Sequence, residues 1–296
     1  MIKRSVLSIL LLAGAGQVMA INISGNLSTT QMGPSLNPWV VTSTVRVLAA
    51  ATLYVEAGTI IQLCKGQNFE VSGKLVVNGT DSASVFFTST LTGKIPGQWG
   101  GMVFSGYGRG NINNAVIEYG GAYGESMLHF GDDASVTMYG CVVRRSSERA
   151  IYISGRSKLC FQDGSIVDND CTSTGAAAIY LENITQKSLY ISNSDIKNSG
   201  TNGNKVGIYV LGGIDKENVR IESNYFANNQ SGILLKGAAR VSGNTFYDHV
   251  NNAVEGSFVC IAYSEFGNPD HNDYSHMQTG YKGIVASCHH LSVTHS

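Results

Sequence analysis

The feature that most constrains this chain is a repeat at Val219–Gly256. The stretch V-R-I-E-S-N-Y-F-A-N-N-Q-S-G-I-L-L-K-G is followed by A-R-V-S-G-N-T-F-Y-D-H-V-N-N-A-V-E-G. Each copy alternates apolar with polar residues, passes through Asn-x-Phe and an Asx, and ends in a second short apolar run. Phe226 and Phe246 stand twenty residues apart. That is long enough for one turn of a solenoid and too short for a domain.

The register extends upstream. With Ile117, Val143, Ile166, Ile196, Phe226, Phe246 and Phe266 as anchors, the residue five places earlier is apolar every time: Ile112, Met138, Phe161, Ile191, Ile221, Val241 and Ile261. A period of two at a fixed offset marks a strand with one buried face. Two places after the anchors stand Tyr119, Arg145, Asp168, Asn198, Asn228, Asp248 and Asn268, mostly Asx. Asx residues suit a tight bend, because they tolerate left-handed dihedrals and bond the local backbone, and stacked coils can join them into ladders. Asp168 and Asp248 are therefore read as turn formers. A third apolar run follows in each coil, with His129, Tyr152, Tyr180, Tyr209, Leu234 and Glu255 at its centre. These central residues are expected to point outward and stack into a column.

The segments E-A-G-T-I-I-Q-L, V-S-G-K-L-V-V-N-G-T, V-F-F-T-S and W-G-G-M-V-F, in that order between Glu56 and Phe104, resemble those of exported right-handed parallel β-helix proteins of the pectate-lyase-like superfamily. The resemblance runs from about Trp39 to about Asn268. It implies an all-β fold, a single right-handed parallel β-helix with about three strands per coil, and carbohydrate as the partner. Lyases of this scaffold combine calcium-binding carboxylates with a basic residue, and its hydrolases use several carboxylates. Gly131-Asp132-Asp133 matches one element of the pectin-hydrolase signature, but Gly-His-Gly and Arg-Ile-Lys are missing.

The expected organisation is a signal peptide over 1–20, an N-terminal cap over 21–44, the β-helix over 45–268, and a C-terminal loop and cap over 269–296. Lys3 and Arg4 precede an apolar run, and Val18-Met19-Ala20 forms a cleavage site. Export to the periplasm, cell surface or medium follows as an expectation. No later apolar run is long enough to span a membrane. A net charge of −1 without any basic block argues against nucleic acid. Six cysteines suit an oxidising compartment, and Cys260 with Cys288 is the favoured pair. Cys141 reads equally as a disulfide partner or a buried thiol.

The leading functional expectation is carbohydrate binding without catalysis, with His129, Tyr152, Tyr180 and Tyr209 as an exposed aromatic contact surface. The structural counter-reading is that parallel coils stack like side chains for their own stability. A second outward column holds Thr137, Cys160, Tyr190, Arg220, Arg240 and Cys260, and Glu222 is placed to neutralise Arg220. Candidate acids for a lyase or hydrolase are Asp132/Asp133, Asp168/Asp170, and Glu118 opposite Arg144. A structural or adhesive solenoid that binds another protein is the third reading. No cofactor is expected. Asp270, His271, Asp273, His276, His289 and His290 offer donors, but their spacing fits no metal loop, and calcium has no motif.

Overall fold

In the computed structural model the described residues are 20–124, 126–171, 177–186, 188–199, 205–212, 215–247, 249, 252–256, 273–276 and 282–286. Asp248, Phe266, Asn268, Asp270, His271, the Cys260/Cys288 pair, His289, His290 and nearly all of the expected signal peptide lie outside them.

The chain winds into a parallel solenoid. One sheet has nine strands, from Thr30–Met32 to Arg240–Ser242, and forms the first face. The second and third strands of successive coils join in a 20-stranded sheet. The anchors fall in register coil on coil: Ile117 pairs with Val143, Val143 with Ile166, Ile166 with Ile196, Ile196 with Phe226, and Phe226 with Phe246. All of these anchors are fully buried. Alternating residues put one side chain in two inside, so the core is a file of Ile, Leu, Val and Phe. Its aromatic members stack, as in Phe226–Phe246 with ring centroids 5.0 Å apart.

Two bends recur in the described coils from Asn114 onward. The first, between first and second strands, holds Asn114, Gly140, Asp163, Asn193, Ser223 and Gly243, all at positive φ. The second, two residues after the anchor, holds Tyr119, Arg145, Asp168, Asn198 and Asn228 at φ 67°, 57°, 54°, 54° and 53°. The turn-forming role expected at these positions is what the backbone shows. Asp168 and Asn198 also form a ladder rung, with Nδ2 of Asn198 donating to Oδ1 of Asp168 at 2.8 Å.

The main amide ladders lie one residue beyond that bend and two residues before the anchors. Asn224 Oδ1 accepts from Ser194 N at 3.1 Å, and Asn244 Oδ1 accepts from Asn224 N at 2.9 Å. Asn169 Oδ1 accepts from Ser146 N and Asn229 Oδ1 from Ser199 N, both at 3.0 Å. These buried asparagines satisfy backbone N–H groups that the bends remove from the sheet.

Entry to the third strand needs small residues. A Cβ on Gly232 would sit 2.5 Å from the Ala253 carbonyl oxygen and 2.8 Å from the Phe246 ring, and one on Gly207 would sit 2.6 Å from the Gly232 oxygen.

The pairing extends past both boundaries expected from the sequence. Ile21–Leu27 lies parallel to Trp39–Val47, so strand pairing begins in the segment read as an N-terminal cap rather than at 45. Asp273–His276, read as part of a polar loop, pairs with Thr245 and Tyr247. Ile284 pairs with Val254, which makes Lys282–Ala286 the third strand of a further coil within the segment expected to be a loop and cap.

Candidate functional site

Three surfaces of the solenoid bring chemically able side chains together. The first is the expected tyrosine column. His129, Tyr152, Tyr180 and Tyr209 do occupy equivalent positions on successive coils. Their rings touch in turn, His129–Tyr152 at 4.9 Å, Tyr152–Tyr180 at 6.0 Å and Tyr180–Tyr209 at 5.0 Å. Exposure is where the expectation fails. Tyr180 and Tyr209 are each only 8% exposed and share a cluster with Ala177 and Val206, against which Tyr152, Leu211 and Leu234 pack.

Cations close the column. The Arg149 guanidinium lies 4.3 Å from the Tyr180 ring centre and 5.7 Å from that of Tyr152, while Lys236 lies 5.6 Å from Tyr209. Tyr152 donates to Glu182 Oε2 at 3.0 Å. Burial, reinforced by Glu182, pushes the phenols of Tyr152 and Tyr180 above their ordinary value. The column is thus a second small core on the outside of the sheet, and its central rings have no free faces to offer a sugar.

The second surface is a groove of about 280 Å³ on the first face. Thr137, Cys160, Tyr190 and Arg220, from four successive strands, form its floor, and Ser135, Lys158, Ser188 and Glu217 add polar groups along it. With strands about 4.8 Å apart, three spacings give a length of about 14 Å along the helix axis. Arg220 is oriented by Glu222 through bonds of 2.9 and 3.0 Å, and its guanidinium lies 5.3 Å from the Tyr190 ring centre. Arg240 also reaches Glu222, at 3.4 Å, so one carboxylate serves both arginines of the column. Burial raises the pKa of the Cys160 thiol above its ordinary value. Half of the groove was legible as the outward column of the first strands. Lys158 continues the outward alternation two residues before Cys160, whereas Ser188 precedes its strand and Glu217 lies in the 3-10 turn Lys216–Asn218, where alternation gives no signal.

The third surface surrounds Glu118, on the second face. Its carboxylate is nearly buried, accepting from Thr88 Oγ1 at 2.9 Å and from Arg144 Nε at 2.8 Å. Lys94 reaches in from the 91–98 loop to donate to Thr88 Oγ1 at 3.2 Å and to the Ser89 carbonyl at 2.7 Å. Lys94 and Arg145 lie 5.3 and 5.4 Å from the centre of the Tyr119 ring. Arg145 also donates to the Tyr119 hydroxyl. The sequence paired Glu118 with Arg144 correctly but not with the other members. The clue was present: Tyr119 and Arg145 are the two described residues that replace Asx at the second bend.

Of the other candidate acids, Asp132, Asp133 and Asp168 are structural. Asp132 accepts from Gly106 N at 3.0 Å at a left-handed turn. Asp133 takes a two-bond pairing from Arg156, which holds its carboxyl below the usual range. Asp168 is in the bend ladder, and burial raises the pKa of Asp170. Cys141 is a buried free thiol pushed up to about 11, and Cys171 another at about 12. Among the described residues no three His, Cys, Asp or Glu side chains are placed to hold a metal ion, and no helix is long and apolar enough to cross a membrane.

Stacked parallel strands, bends with left-handed residues, and buried asparagine ladders together define a parallel β-helix protein. Comparison with known families gives the same class. A model described as a right-handed β-helix region matches residues 100–268, and one described as a pectate-lyase-like β-helix domain matches residues 28–137. The chain belongs to the right-handed β-helix family. Among solved structures it is similar to the A-modules of two mannuronan C-5 epimerases from Azotobacter vinelandii. For AlgE4 the identity is 12% over 92% of this chain and 91% of that one, with a TM-score of 0.34. For AlgE6 it is 12% over 92% of each, with a TM-score of 0.31. No curated protein matches the chain.

Proposed function

We propose that this is an exported β-helix protein that binds polysaccharide or a cell-surface glycan, without catalysis, through the groove on its first face. The observation that carries the reading is the groove itself: a cavity of about 280 Å³ running across four coils, with a tyrosine, hydroxyls, two cations and a carboxylate along it. Sugar rings are apolar on one face and rimmed by hydroxyls, so an elongated groove offering one aromatic ring and many hydrogen-bonding groups suits them. The pectate-lyase-like β-helix match agrees with this class of partner. Tyr190 replaces the His129–Tyr209 column as the aromatic contact, because that column is closed by its own packing.

The lyase and hydrolase readings need an acid poised for proton transfer beside a second reactive group. Among the described residues Glu118 is the one buried carboxylate, and both its oxygens are occupied by Thr88 and Arg144. Export rests on the residue pattern at 1–20 alone.

The test is a glycan array with the mature protein and with Tyr190→Ala and Tyr180→Ala. Binding is expected for the parent, lost in Tyr190→Ala and kept in whatever fraction of Tyr180→Ala remains folded. An array blank for the parent, or unchanged by Tyr190→Ala, would sink the reading.

A further inference from the structure

We propose that Lys94, Arg144, Arg145 and Tyr119 form a second binding site, separate from the groove, which takes an oxyanion (carboxylate or sulfate) carried on a polysaccharide. Three observations converge on it.

Charge comes first. Arg144 engages the Glu118 carboxylate at 2.7 and 2.8 Å, while Lys94 and Arg145 lie 5.3 and 5.4 Å from the ring centre of the neighbouring Tyr119. Neither Lys94 nor Arg145 has a carboxylate partner among the described residues. Asp168, on the coil next to Arg145, is bonded through Oδ1 to Asn198 on its far side. The patch therefore keeps a surplus of positive charge in a protein whose net charge is −1. An anion arriving there completes the charge balance that the fold leaves open.

The backbone comes second. On the three following coils this bend is held by Asp168, Asn198 and Asn228, residue types that tolerate the left-handed region. Tyr119 and Arg145 adopt it at φ 67° and 57° without that tolerance, side by side on neighbouring coils. Strained residues persist where the surrounding structure holds them in place, and they gather at sites of recognition. Here the strain sets the Arg145 guanidinium against the Tyr119 hydroxyl. Since Arg145 donates that hydrogen bond, the phenol O–H of Tyr119 remains available as a donor.

The surroundings come third. Leu91 and Ile95, on the loop that supplies Lys94, are 42% and 63% exposed. Cations beside exposed aliphatic side chains suit an anionic group on a sugar ring better than a free inorganic ion, which has no apolar face to bury. The loop is tied down rather than loose, with Gln98 N donating to the Tyr119 carbonyl at 2.8 Å and Gly97 N to the Gly120 carbonyl at 3.2 Å.

The experiment is titration calorimetry of the full mature chain with polygalacturonate, dextran sulfate, neutral dextran and sodium sulfate, at two salt concentrations. The parent is expected to bind at least one polyanion and not neutral dextran, more weakly at the higher salt. Arg145→Asn puts the residue type of the other coils at the bend, so thermal stability should hold or rise. Its affinity for the polyanion should nonetheless fall by roughly tenfold, with a shallower salt dependence, and Lys94→Ala should do the same. Arg46→Ala, which removes a surface cation paired with Glu70 on an early coil, should leave polyanion binding unchanged, so that loss of one positive charge elsewhere does not reproduce the effect. The better of the two polyanions identifies the group recognised. The proposal is overturned if the parent binds neither polyanion, if neutral dextran binds equally, if sodium sulfate binds but neither polymer does, or if both cation variants bind like the parent.

Discussion

Asn224 sits in the middle of the ladder on which the first bend depends, and Asn224→Ala tests that dependence. The side chain is 3% exposed. Its Oδ1 accepts from Ser194 N at 3.1 Å, and its Nδ2 donates to the Ile191 carbonyl at 3.1 Å and to Asn244 Oδ1 at 3.0 Å. Truncation leaves the Ser194 N–H and the Ile191 carbonyl without that side chain, whereas Asn244 Oδ1 keeps the Asn224 backbone N–H at 2.9 Å. An abandoned buried group costs about 1–3 kcal/mol, so two give about 3 kcal/mol after partial relaxation. Urea unfolding followed by circular dichroism gives the stability, and native-state hydrogen exchange shows whether the loss is confined to the coils around Ile191 and Ile221. Local loss is expected, because solenoid coils touch only their neighbours. Asn228→Gly is the control. Asn228 has the left-handed backbone at φ 53° but an exposed side chain, so glycine there should change stability by less than about 0.5 kcal/mol. Asn224→Ala within about 1 kcal/mol of the parent would refute the view that the asparagines hold the bends.

Tyr180→Ala should lower stability by about 3 kcal/mol, in the range for truncating a large buried ring, with the loss read from the urea midpoint. Gly232→Ala should cost about 1–3 kcal/mol, because the added Cβ meets a carbonyl oxygen at 2.5 Å that belongs to the next coil; the same unfolding assay reads it. Iodoacetamide at pH 8 followed by peptide mass spectrometry should label Cys64 and Cys160 in the native protein and spare Cys141 and Cys171, which are buried. The Cys141 thiol is raised from 9.0 to about 11 in the folded state, so the folded protein holds this proton more tightly than the unfolded chain. That stabilisation is fully present below pH 9 and is lost as pH rises towards 11, by up to about 3 kcal/mol. Cys141→Ala should flatten this part of the stability-against-pH curve.

The fold was legible because a solenoid writes its geometry repeatedly. One register, set at Phe226 and Phe246, placed inward residues and bends across most of the chain, since every coil meets the same packing demand. The sites were less legible, for a physical reason seen at Tyr180. Alternation tells which side of a strand a residue faces, and Tyr180 does face outward. It does not tell what then folds over that side, and here Arg149, Ala177 and Val206 do so. Glu217 escaped notice because it stands in a 3-10 turn ahead of its strand, where alternation has no period to follow. Lys94 escaped because it comes from the 91–98 loop, outside the strand alternation. Tyr119 and Arg145 were visible as departures from the Asx rule, and a departure was the more informative signal.

The same lattice explains why one outward column closes and another stays open. Neighbouring coils are about 4.8 Å apart, so like side chains on successive coils are forced into contact. In the third-strand column the residues from His129 to Tyr209 are all rings, so each covers part of the next. Arg149 then finds a π-face to lie on at a cost in exposed charge smaller than the attraction gained. In the first-strand column the sizes are mixed: Thr137 and Cys160 are short, Tyr190 and Arg220 long. Short beside long leaves a hollow over the short residues and a wall at the long ones, and that hollow lies in the groove. Filling it from below, with Cys160→Phe, should close the cavity as ring stacking closes the tyrosine column. A groove-bound glycan would then be lost, while oxyanion binding around Arg145, on another face of the same coils, would persist.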